Sequence, residues 1–226
     1  MRFFAMCLSL LLIPIWCAEA QSQNRRATKI DFSDPSGIIH QLAPDDGAPT
    51  VLVVRPSDKP RVISLLNEAK RKESGWHRQL AIYFLMCLDQ DYKQNRDDLL
   101  RIWRSGGDED TMGLIIHLYK QGHSELLDTI LKAGRHSDGA LSEELGDFFG
   151  NELNTHPNQI VAGLSQFSFE DQAGICWMAG AGDGGGIARS TLVQVLGKLA
   201  KIEGKVAARC AANVRKGARD AAVSNQ

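Results

Sequence analysis

An all-α protein, an irregular stack of helical hairpins behind a short extended N-terminal arm, is predicted from three observations. From Ser57 onward apolar side chains recur every three or four positions, beginning with Val62, Leu65, Leu66 and Ala69. Glycines and capping residues cut that pattern into short helical lengths. A β-branched run bounded by turn signals occurs clearly once, at Thr50-Val-Leu-Val-Val54.

Residues 1–20 read as a cleaved signal peptide. Arg2 supplies the positive start, Phe3 to Trp16 is apolar except for Ser9, and Ala18-Glu19-Ala20 fits a small-residue cleavage site, placing cleavage between Ala20 and Gln21. A membrane-spanning helix needs about 20 apolar residues; this run is shorter and carries Pro14. Lipidation at Cys17 would want a small residue before it, and Trp16 is bulky. The expected product is exported, periplasmic or secreted, and soluble, since no later apolar run is long enough to span a bilayer.

Residues 21–56 read as an extended arm with room for a small hairpin. They hold Pro35, Pro44, Pro49 and Pro56, together with Asp-Pro and Asp-Asp-Gly turn signals. Ser57-Asp58-Lys59-Pro60 then starts the first helix, with a capping residue and proline in the first turn. Gly75 closes it, and Trp76 to Leu88 follows, apolar nearly all round and so expected to be buried. Asp97 to Trp103 stops at Gly106-Gly107. Asp108-Glu109-Asp110 opens the next helix, where acid suits the helix dipole, and Gly122 ends it. Ser124 to Ala133 runs to Gly134. Ser137 or Asp138 caps a longer helix through Leu153. Pro157 to Phe167 comes next, and Ser168-Phe-Glu-Asp171 is a box-like cap for the helix holding Cys176 and Trp177.

The doublets Leu65-Leu66, Leu99-Leu100, Leu126-Leu127 and Ile160-Val161 recur at spacings of 34, 27 and 34 residues. Each is followed by a turn and a second helix, as in stacked hairpins. Ile115-Ile-His-Leu-Tyr119, Leu126-Leu-Asp-Thr-Ile-Leu-Lys-Ala133 and Ser137-Asp-Gly-Ala-Leu-Ser-Glu-Glu-Leu-Gly-Asp-Phe-Phe149 carry a resemblance over roughly residues 60–180. The chain resembles HEAT-type helical-repeat (α-solenoid) proteins, in particular uncharacterised exported bacterial ones. The resemblance implies hairpins over 57–180, a scaffold or binding surface, and no catalytic residues to carry over. The repeats are unequal, and the glycine run at 181–186 has no place in a regular array.

Cys7 and Cys17 leave with the signal; Cys87, Cys176 and Cys210 stay. Cys87 lies in the apolar run Leu80 to Leu88 and reads as a buried free thiol. Cys176 and Cys210 sit on two helices that could pack together, and an oxidising compartment would allow a Cys176–Cys210 disulfide.

No catalytic or cofactor constellation outweighs its structural explanation. Gly180-Ala-Gly182-Asp-Gly184-Gly185-Gly186 contains G-x-G-x-x-G, but a helix precedes it where the dinucleotide fingerprint needs a strand. It reads as a flexible connection, with a helix following from Ile187. The histidines His117, His123 and His136 have no metal-ligand spacing, so no metal or other cofactor is expected. Carboxylates such as Asp108, Glu143, Glu144 and Asp171 sit where caps and solvated faces want them.

Charge is the more informative signal. Residues 187–226 hold eight Lys and Arg side chains against Glu203 and Asp220, in a chain whose formal net charge is −1. Leu199, Ile202, Val206 and Cys210 form an apolar stripe, and Lys198, Lys201, Lys205 and Arg209 a basic one about 100° around the helix, unless Gly204 breaks it. The lysines either face solvent and the protein's own acidic surface, or contact an acidic partner or an anionic membrane. Of the last two, the protein partner is preferred. Nucleic acid is not expected, because no aromatic stacking pattern is interleaved. The sequence therefore points to non-catalytic binding of another protein or an envelope component. The alternatives are a cell-envelope hydrolase with an acidic site, and an inhibitor or immunity-type protein.

Overall fold

The computed structural model describes residues 30–33, 37–43 and 54–224, and these are helices joined by turns. The helices are α1 (Ile38–Leu42), α2 (Lys59–Lys72), α3 (Gly75–Cys87), α4 (Tyr92–Arg104), α5 (Glu109–Lys120), α6 (Leu127–Ala133), α7 (Gly139–Thr155), α8 (Pro157–Leu164), α9 (Phe169–Ala181), α10 (Arg189–Leu199) and α11 (Lys205–Ser224). No helix among the described residues is long and apolar enough to cross a membrane. The leader and most of Thr50–Val54 lie outside the described residues.

Packing follows the chain with a period of two helices. Each of α3, α5, α7 and α9 packs on the helix two further along, and α6, α8 and α10 contact one another beside that row. The apolar doublets all enter one continuous core, with Leu66, Leu99, Leu126, Leu127 and Ile160 buried and Leu65, Leu100 and Val161 packed against it. Helix α3 is buried all round from Gln79 to Met86. At two helix starts the expected caps form: the Asp108 carboxylate accepts from the Thr111 amide at 3.1 Å, and the Ser168 hydroxyl from the Asp171 amide at 3.1 Å.

Three expectations are corrected. The arm carries α1, whose Ile38, Ile39 and Leu42 are buried against α2 and α3, so the Ile-Ile-x-x-Leu spacing overrides the surrounding prolines. Helix α4 starts at Tyr92, five residues before Asp97. Its first turn buries a polar residue, Asn95, whose amide donates to the Gln90 carbonyl at 2.7 Å. The glycine run is a hydrogen-bonded turn, described below. Helix α11 continues to Ser224, with Ala221 buried.

A partly buried ionic cluster ties α2 to α4. Lys70 Nζ lies 2.6 Å from Asp98 and donates to Asn95 Oδ1 at 2.7 Å, while Arg101 pairs with Asp98 at 2.9 Å. Burial pushes the Asp98 carboxyl up, but its bonds to Lys70 and Arg101 outweigh that and hold it below the ordinary carboxylate range. A depressed folded-state pKa adds stability above the unfolded value of about 4, and that stability is lost as pH falls through the folded value. Asp98→Asn is therefore expected to cost about 2 kcal/mol at neutral pH. In urea melts the gap between wild type and variant should close in acid; a gap that persists there would contradict the pairing.

Candidate functional site

The C-terminal pair α9 and α11 forms the most distinctive surface. Glycines let the two backbones touch. A Cβ on Gly180 would lie 2.0 Å from the Val214 carbonyl oxygen, and one on Gly217 only 1.9 Å from the Trp177 carbonyl oxygen. Cys176 and Cys210 are joined by a disulfide one to two turns before this crossing, as the sequence suggests, and both are buried. The pairing Cys176–Cys210, then Gly180 against Val214, ascends along both chains, so the helices run parallel. On the other side of α9, α7 approaches in the same way. A Cβ on Gly146 would meet the Gly182 carbonyl oxygen at 2.4 Å.

The outer seam of this pair carries aromatic rings and charges. Phe169, the first residue of α9, is 62% exposed, and the Arg209 guanidinium lies 4.8 Å from its ring centroid. Trp177, 38% exposed, donates its indole N–H to Asp220 at 2.8 Å. Arg209 and Asp220 are eleven residues apart, so they lie within about 20° of one line along α11 and about 16 Å from each other. Asn213 and the exposed Lys216 sit between them on that line, and the Asn213 amide donates to the Arg209 carbonyl at 2.9 Å.

The four residues of the expected basic stripe are divided. The chain turns at 200–204 between α10 and α11, with Gly204 at φ +117°, so the stripe is not continuous on one helix. Lys198 is drawn inward and donates to the carbonyl and side-chain oxygens of Asn154, the latter at 3.0 Å. Lys201 is exposed in the turn, Lys205 is exposed at the start of α11, and Arg209 stacks on Phe169. Among the described residues none of the four pairs with a carboxylate. The exposed Lys216 of α11 joins this basic surface, while the exposed Arg219 and Arg215 lie about 80° and 120° around the helix from Arg209; the sequence reading did not single out Lys216. It also did not pair Phe169 and Trp177 with α11. The available signal was Gly180 and Gly217, each following a cysteine of the disulfide by four to seven residues.

Elsewhere the polar clusters are explained by packing. The Tyr119 hydroxyl donates to Glu152 Oε2 at 2.9 Å, and His156 Nδ1 lies 2.9 Å from the same oxygen. Glu152 is buried at the end of α7, and His156 forms the junction to α8. Cys87 is the free cysteine among the described residues and is half-buried, not fully buried as expected; this burial pushes its thiol up to about 11, so it stays protonated at neutral pH. His117 stands edge-on to Tyr83, and burial followed by Lys120 holds it below the ordinary imidazole value. His123 stacks on Tyr92 at 4.3 Å, and His136 lines a groove of about 320 Å³ with Trp103, Thr129 and Leu141. The three histidines thus have separate neighbours. Burial, against an opposing Lys120, raises the Glu144 carboxyl beside Asp110 and Glu109.

In the glycine run the amides of Gly182, Gly184, Gly186 and Ile187 turn back onto carbonyls of Met178, Ala181, Ala181 and Gly180. Those donors are consumed by α9, so they are not aimed outward as a phosphate cradle requires. Gly182, Gly184 and Gly186 take positive φ, which is why the turn needs them, and α10 starts at Arg189, two residues after Ile187.

No protein-family model, curated protein or solved structure matches the chain.

Proposed function

We propose that this chain is an exported, non-catalytic helical-repeat protein of HEAT-like build that binds another protein or an envelope component. The observation that carries the reading is the packing order. Helices α3, α5, α7, α9 and α11 each lie on the next, with α6, α8 and α10 alongside. Such serial stacking leaves long faces of neighbouring helices open to a partner. Exposed aromatic rings beside unpaired cations on α9 and α11 support a contact role, since Trp and Arg dominate the energetics of protein interfaces. A signal peptide ending at Ala20 supports export, and a buried Cys176–Cys210 disulfide accords with an oxidising compartment.

One observation favours a second reading, a hydrolase of the envelope. His156 holds Nδ1 on buried Glu152, the arrangement that orients a catalytic base. The same pair also closes the α7–α8 junction, where His156 is a helix boundary residue.

The test is cross-linked affinity capture by the mature chain in its native envelope, with reciprocal capture by the partner found. A single envelope protein recovered in both directions, and retained by His156→Ala, is expected. Recovery of no partner, together with turnover of an envelope polymer that His156→Ala abolishes, would replace binding with catalysis.

A further inference from the structure

We infer that the α9–α11 seam is the docking strip for an acidic, partly apolar segment of a partner protein. The inference rests on the binding reading above and names its surface and the chemistry of its ligand. Four observations converge. Phe169 and Trp177 are large side chains left 62% and 38% exposed on one helix, about 12 Å apart along its axis. Isolated exposed apolar residues need no explanation, but two exposed aromatic rings that both contact one line of α11 form an anchor pair. Second, each ring is held from α11: Arg209 lies over Phe169 at 4.8 Å, and Asp220 fixes the Trp177 indole at 2.8 Å. Preset rings lose little freedom on binding, which lowers the entropic cost of association.

Third, the strip is strongly positive. Lys205, Arg209 and Lys216 lie within about 40° of one line along α11, against Asp220, which is engaged by the indole. None of those three cations has a carboxylate partner among the described residues. The complement is a segment rich in Asp and Glu. Fourth, the strip is rigid. The disulfide and the Gly180 and Gly217 contacts fix α9 against α11, so ring-to-cation spacing is held without a ligand. A protein segment fits better than a bilayer. Trp177 is 38% exposed with its indole tied to Asp220, so it stays on the helix pair and is not free to enter a bilayer interface.

The probe is a labelled peptide of repeating Glu-Glu-Leu, read on the mature, oxidised protein by anisotropy and by the part of the tryptophan fluorescence change that Trp177→Phe removes. Its charge-reversed Lys-Lys-Leu counterpart and phosphatidylglycerol vesicles are run beside it. Saturable binding of the acidic peptide is expected, weakening steeply with salt and falling at least about tenfold in Arg209→Glu and in Lys216→Glu. Lys216 is exposed and in no ion pair among the described residues, so Lys216→Glu should melt like wild type and keeps the test sound if Arg209→Glu is unstable. Unchanged binding in both variants, equal binding of the basic peptide, or binding to vesicles but not to peptide would overturn the inference. So would sedimentation showing a dimer that Lys216→Glu dissociates, which would make the occupant a second copy. If Lys216→Glu still captures the envelope partner while the acidic peptide fails to bind, the binding reading survives and this surface is wrong.

Discussion

Gly217→Ala should destabilise the protein severely, because its new methyl would sit 1.9 Å from the backbone oxygen of Trp177. A backbone carbonyl inside a helix cannot swing aside as a side-chain tip can, so α9 and α11 would have to separate along their whole crossing. Overpacking of this kind costs about 1–3 kcal/mol and occasionally more. Two backbones in contact, with Gly180 2.0 Å from Val214 by the same measure, put this site at the upper end, about 3 kcal/mol or above. For a chain of this size that is a fall in Tm of about 6–12 °C. Gly180→Ala should behave alike. Gly197 gives the opposite control: it is a helical glycine in α10, at ordinary φ, with open space around its Cβ position. Gly197→Ala is expected to stabilise by about 0.5–1 kcal/mol through helix propensity and chain entropy. Thermal melts of the three variants decide the matter, and a Gly217→Ala melt equal to wild type would show that the helices do not touch there.

Removing the disulfide should have a comparable effect. Cys176 and Cys210 are 34 residues apart, and the chain-entropy estimate for a loop of that length is about 4 kcal/mol. Cys176→Ala with Cys210→Ala leaves small apolar residues in a buried setting, so most of the loss should come from the unfolded chain. Chemical denaturation should show a lowered midpoint while the helical signal of the folded state is kept. The outer seam, held also by Phe169–Arg209 and Trp177–Asp220, should stay assembled at low temperature. A double variant as stable as the oxidised wild type would mean that the bond does not constrain the native chain.

The helices after Ser57 were legible because local signals agreed. Apolar spacing marked the faces, while Asp108, Ser168 and the prolines at Pro60 and Pro157 marked the starts. Legibility failed where a tertiary partner replaces the local signal. Asn95 occupies a buried position on α4 that periodicity assigns to an apolar residue; its hydrogen bonds with Lys70 and Gln90 make the burial tolerable, and the first turn was missed. Helix α1 is too short for its period to outweigh the surrounding prolines, and only packing on α2 and α3 sustains it. The glycine run looked like a flexible connection because the carbonyls that fix it belong to the end of α9.

The site was less legible than the fold. A basic stripe drawn on one ideal helix cannot anticipate the turn at 200–204, nor the pull of Asn154 on Lys198. Phe169 and Trp177 became a pair only when α11 was laid beside α9, a contact some 40 residues distant in sequence. The disulfide was the exception, since two cysteines on predicted helices that could pack together offer few pairings.

Everything about the C-terminal surface depends on α9 and α11 lying side by side in the native protein. Peptide mapping of material purified without reductant, alkylated before digestion, reads this directly. A single linked pair containing Cys176 and Cys210, with Cys87 recovered as the alkylated thiol after unfolding, is the expected pattern. Alkylation of all three cysteines, or a link from Cys87 to either of the others, would contradict the arrangement of these helices.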